Sequence, residues 1–150
     1  TVVQPNLNER SSIVDRAVAL ADLGTAGMDG PEAYTVEGRD LFREENLDIF
    51  RAFEELSKKP SANPENDLPP DKVEYFKKRM IAWSKFQQKF AEGRRAKLED
   101  ELNGLPEEAK DAVRALFLKF DETIRAAEKK YEEEKQMPFN ELAKSFGYGF

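Results

Sequence analysis

The side chains able to do chemistry in this chain are carboxylates, hydroxyls, amines, guanidiniums and phenols, because its 150 residues include neither histidine nor cysteine. That absence removes thiol nucleophiles, histidine-based triads, Cys/His zinc sites, c-type haem attachment and disulfides. Di-metal sites in helical bundles rely on a Glu-x-x-His pair and go with them. Paired carboxylates remain for acid–base work, but no spacing singles out two of the thirty present. Ser84-Lys85 sets a hydroxyl beside an amine without the positional signature of a nucleophile. The acidic runs Glu44-Glu45, Glu54-Glu55, Glu99-Asp100-Glu101 and Glu132-Glu133-Glu134 lack the spaced ligands of an EF-hand loop, as does Asp22 to Asp29. A charge run of this kind on a helix is ordinarily a solvated face. Gly24 to Gly30 lacks the Gly-Lys-Ser/Thr ending of a phosphate-binding loop. The expectation is a protein that is not an enzyme, with no metal and no cofactor.

Charge is segregated along the chain. Residues 71–97 carry nine Lys or Arg against three acids, net +6, while residues 1–70 (seven against fourteen) net −7 and residues 98–135 net −5. Lys77, Lys78, Arg79, Arg94 and Arg95 are the candidates for an anionic partner, membrane or nucleic acid. A total charge of −6 disfavours long-range attraction of polyanions, nucleic acid above all. The competing reading is internal: a basic helix held between two acidic segments.

These residues must be positioned by helices. Apolar residues recur at helical spacing from Pro70 to Leu102 and again from Pro106 to about Lys135, each run about 45 Å long at ~1.5 Å per residue, with Asn103-Gly104-Leu105-Pro106 as the hinge. The first arm has the stripe Val73, Phe76, Met80, Trp83 and Phe90, with Phe86 flanking and Gln87 and Arg94 inside it. The second has Ala109, Val113, Leu116/Phe117, Phe120, Ile124, Ala127 and Tyr131 at alternating three and four spacing. With the turn near residue 104, Trp83 faces Ile124, Met80 faces Ala127, Phe76 faces Tyr131, Gln87 lies near Asp121, and Arg94 near Val113 and Arg114.

Upstream, Asn8 caps a helix to about Leu23 with Val14, Ala17, Val18 and Ala21 on one face. The glycine-rich stretch 24–31 reads as a loop, and a second helix runs from about Gly38 to Lys59 on a Phe42, Ile49, Phe53, Leu56 seam with Phe50 at its edge. Residues 1–7 read as an extended arm, 60–70 as a proline-rich linker, and 137–150 as a C-terminal tail whose aromatics dock back. The fold class is therefore all-α: a single domain of 1–150, an elongated antiparallel hairpin (about 70–102 and 106–135) packed with two N-terminal helices into a four-helix-type bundle.

Three functions fit. The first is a non-enzymatic helical module with a protein partner, exported, a reading to which the start without methionine lends weight. The second is a carrier of a small apolar ligand, such as a fatty acid or retinoid, in a cavity lined by Phe76, Met80, Trp83, Phe86, Phe90, Arg94, Phe117, Phe120 and Tyr131. The third is an anionic surface bound through helix 71–97. No run approaches the ~18 apolar residues of a membrane span. No motif attaches the chain to a named family; its Cys-free, charged, Phe-rich character with a Leu-Pro-Glu-Glu helix start resembles small secreted helical effectors and antigens.

Overall fold

The computed structural model describes residues 13–150; the arm at 1–7 and the cap at Asn8 lie outside the described residues. The fold is all-α and bundle-like, with no strand among the described residues. Helices α1 (Ile13–Ala21), α2 (Pro31–Glu45), α3 (Leu47–Ser57), α4 (Pro64–Asp67), α5 (Pro70–Asn103), α6 (Glu107–Leu116), α7 (Phe120–Glu134) and α8 (Phe139–Ser145) follow in order, with a π-helical turn at Thr25–Asp29. Proline punctuates them: Pro31, Pro64 and Pro70 are first residues, and Pro106 and Pro138 immediately precede α6 and α8. A fixed φ and a missing N–H cost nothing in a first turn.

Two compact units divide the chain, one of residues 35–88 with 127–150, the other of residues up to 34 with 89–126. In the first unit the seam read from sequence is the core: Phe42, Ile49, Phe53 and Leu56 are buried with Phe76 and Met80 of α5. The expected helix 38–59 is two helices. It starts at Pro31 and breaks at Asn46, whose Nδ2 donates to the Phe42 carbonyl at 2.7 Å. The side-chain amide competes for backbone groups, which is why Asn is a poor interior helix residue.

The tail is docked. Phe139, Leu142, Ala143, Phe146 and Tyr148 belong to the same core. Phe146 meets Phe42 edge-on at 4.8 Å, Tyr148 stacks on Phe53 at 4.5 Å, and the Arg39 guanidinium lies 3.6 Å over the Phe146 ring. Arg43 Nη1 donates to the Gly147 carbonyl at 3.2 Å; Gly147 has φ of 84°, a left-handed turn that a side chain would strain. The linker 60–70 is also pinned. Pro64 is buried, Asn140 Nδ2 donates to Asn63 Oδ1 at 2.8 Å, and Glu65 N–H donates to Asn140 Oδ1 at 3.1 Å.

In the second unit the core is Leu23, Ala26, Tyr34, Ala91, Leu98, Leu102, Phe117 and Phe120. Here the second arm departs from its expected course. It is not one helix from 106 to 135, but α6 and α7 separated at Phe117–Lys119 with no proline or glycine at the break. Tertiary bonds cause it: Lys119 N–H donates to the Gly27 carbonyl at 2.9 Å, and Thr123 Oγ1 donates to the Ala26 carbonyl at 2.8 Å. Gly27 makes the approach feasible, since a Cβ there would sit 2.4 Å from the Phe120 ring and 2.7 Å from that of Phe117. The glycine stretch 24–31, expected as loop, forms the π-turn that carries this notch, closed by Gly30 N–H on the Thr25 carbonyl at 3.1 Å.

The break shifts the register. Within their own units, Ser84 pairs with Glu134, Lys85 Nζ lies 4.7 Å over the Tyr131 ring, and Arg95 pairs with Asp121. These partners lie roughly three helical turns from the facing positions expected with a turn at 104. Within the first unit Tyr131 therefore meets Lys85 in place of the expected Phe76. Helix α1 also differs from expectation. Val14 and Val18 are 65% and 63% exposed with Ala17 and Ala21 beside them, while Ala19 and Leu23 are buried.

Candidate interaction site

The most chemically loaded cluster in the unit of residues 35–88 and 127–150 is closed to solvent. Arg39 Nη2 donates to Glu134 Oε1 at 2.6 Å, Ser145 Oγ donates to the same oxygen at 2.9 Å, and Ser84 Oγ donates to Glu134 Oε2. Lys130 Nζ stands 3.7 Å off. Glu134 has no exposed surface, and Ser84 is buried. Burial pushes the Arg39 guanidinium below its usual pKa, and the Glu134 charge opposes that. A hydroxyl on a carboxylate has the outline of nucleophile and base, but here the Glu134 carboxylate is wholly buried and holds three hydrogen bonds, from Arg39, Ser84 and Ser145. Sequence reasoning missed this network by reading Glu132-Glu133-Glu134 as a solvated face. The signal was present: Glu134 follows Tyr131 by three and Ala127 by seven, continuing the apolar stripe inward.

The nine residues expected to line one cavity are divided between the two units. Phe76 and Met80 are core, with Trp83 packed against it, in the α8-containing unit. Phe117 and Phe120 stack on each other at 6.1 Å in the other unit's core. Tyr131 is half-buried between Lys85 and Lys135. Arg94 bonds Asp22 at 2.5 Å and lies over Phe90, a ring that is itself exposed. Phe86 is 49% exposed. Gln87 fills the space over Gly38.

Of the five cations expected to serve an anionic partner, three are engaged inside the chain. Arg79 Nη1 donates to Asp48 at 2.6 Å while Nη2 donates to Asn46 Oδ1; Arg94 holds Asp22, and Arg95 holds Asp121. The Arg79–Asp48 hydrogen bond raises the pKa of the guanidinium and lowers that of the carboxyl. Lys77 is half-buried and Lys78 exposed.

Among the openings of the first unit is a groove of about 380 Å³ between the end of α2 and the middle of α5; a second, of about 510 Å³, is lined by Asp40, Arg43, Glu44, Leu47 and Phe50. Helical spacing builds both walls of the α2–α5 groove: Phe42 and Glu45 share one face of α2, with Asn46 just beyond its end, and Arg79, Ala82, Trp83 and Phe86 share one face of α5. Trp83 stands edge-on to Phe42 at 5.6 Å and tilts against Phe86 at 5.4 Å, so its packing fixes the half-exposed Phe86 ring. Arg79 ties α5 to the Asn46 break and to Asp48 in the first turn of α3, which holds this wall in place. Glu45 is exposed and forms no salt bridge among the described residues.

No family model, no curated protein and no solved structure matches this chain. Among the described residues no group of three or more acidic side chains is placed to hold a metal ion, and no helix is long and apolar enough to cross a membrane.

Proposed function

We propose that this chain is a non-enzymatic helical interaction module whose partner is a protein, and that the α2–α5 groove is its contact face. One observation carries the reading: an aromatic wall stays at the surface in a unit that buries Phe42, Phe53, Phe139 and Phe146 completely. Apolar surface of this kind, rimmed by charge, favours a macromolecular contact. Burial of the Ser84–Glu134 pair supports the non-enzymatic half, since a buried pair is poorly placed to meet a substrate.

The test places a photo-crosslinking benzoylphenylalanine at Phe86, with a control at the exposed Lys129 of α7, in the full chain incubated with extract from its native source. A polypeptide adduct from position 86 and none from 129 is expected. Equal labelling from both, or no polypeptide adduct while a co-purifying lipid appears by native mass spectrometry, defeats the reading.

A further inference from the structure

Resting on that reading, we infer that the α2–α5 groove seats a lysine or arginine side chain of the partner, presented on a basic amphipathic segment. Charge selects this occupant. The groove walls hold one carboxylate, Glu45, and one guanidinium, Arg79. Asp48 bonds Arg79 and cancels it, so the lining with its bound partner keeps one net negative charge, on Glu45. Arg79 is also occupied by the Asn46 carboxamide, which leaves it poorly disposed toward an incoming anion.

Geometry agrees with charge. Trp83 and Phe86, 5.4 Å apart and inclined at 40°, line the groove together as a tilted pair rather than a flat stack. A cation held over such rings is attracted by their quadrupoles, most strongly by tryptophan, and a nearby carboxylate adds a Coulombic contact. Ala82, the one small residue of the α5 wall, leaves room between Arg79 and Phe86 for an aliphatic stem. Alternative anionic occupants meet Glu45 unpaired and gain nothing from the aromatic faces.

Trp83 is the only tryptophan, so its emission reports on the groove directly. The full chain is titrated with a short amphipathic peptide bearing lysines on one face and leucines on the other, and with its counterpart bearing glutamates. The lysine peptide is expected to give a saturable change that weakens about three- to tenfold in Glu45→Gln and declines with added salt, the glutamate peptide giving none. Phe86→Ala, at a half-exposed position, gives a second route to the same loss should Glu45→Gln disturb the fold. Equal response to both peptides, an unchanged affinity in both variants, or a response to phosphatidylserine vesicles or duplex DNA in place of the lysine peptide overturns the inference. A Phe86 adduct with a partner segment lacking basic residues also overturns it, yet leaves the interaction reading intact.

Discussion

Arg39 of α2 and Glu134 of α7 meet at 2.6 Å with the carboxylate wholly buried and the guanidinium stacked on Phe146. The pair joins α2 and α7 to the docked tail, because Ser145 bonds the same carboxylate. Removing one partner strands a desolvated charge, which costs far more than removing both. Arg39→Met is expected to destabilise the chain by about 3–5 kcal/mol in urea unfolding, and Arg39→Met with Glu134→Leu to recover a good part of it. A double variant as unstable as the single one would show that the arginine acts by its packing on Phe146 alone.

Gly27→Ala is expected to cost about 1–3 kcal/mol, the range for overpacking a filled core, since the new methyl meets two rings below contact distance. The thermal midpoint measures it. The same substitution at Gly93, where a Cβ meets nothing within 4 Å of an exposed helix position, is expected to raise stability slightly through helix propensity.

Acid sensitivity follows from Arg79 and Asp48. The hydrogen bond from Arg79 holds the Asp48 pKa below its ordinary value of 3.8. A depressed carboxyl pKa contributes stability that is complete above the unfolded value and disappears as pH falls through the folded one. Asp48→Asn therefore lowers the midpoint at pH 6 and flattens the fall below pH ~4. Parallel curves for the two proteins across that acid range would remove Asp48 as the cause.

The tail shares the alkaline side with Tyr34, whose phenol pKa is also raised by burial. Burial pushes the Tyr148 phenol from 10.0 up to about 12. The folded state thus keeps a proton the unfolded state releases, and stability present below pH 10 is lost as pH rises from 10 toward 12. In Tyr148→Phe that part of the alkaline loss disappears. Phenolate absorbance of the folded wild type at pH 11 is also expected to fall short of the four-tyrosine total.

Much of the fold is legible wherever spacing and punctuation act locally. Proline placed the starts of α5 and α6, and the Phe42–Leu56 seam found the core although Asn46 divides its helix. The continuity of 106–135 and the register at the hinge were not legible. Nothing between Arg114 and Asp121 disfavours helix; the break is imposed by carbonyls of residues 26 and 27, far away in sequence. The exposed face of α1 misleads for the same reason, because Val14, Ala17, Val18 and Ala21 satisfy helical periodicity whether or not anything covers them. At the candidate site, Trp83 and Phe86 stood out by type, but Glu45, which lines the same groove, lay hidden among thirty carboxylates. Only pairing by distance separates it from Asp48, whose charge is spent on Arg79.

The boundaries between the compact units fall at 34/35, 88/89 and 126/127, each inside a helix: α2, α5 and α7. No single cut in the chain releases either unit, and excising one leaves three severed helices with unpaired backbone groups at their new ends. A breakpoint at any one of these positions therefore severs a helix and still leaves each unit built from two separate stretches of chain.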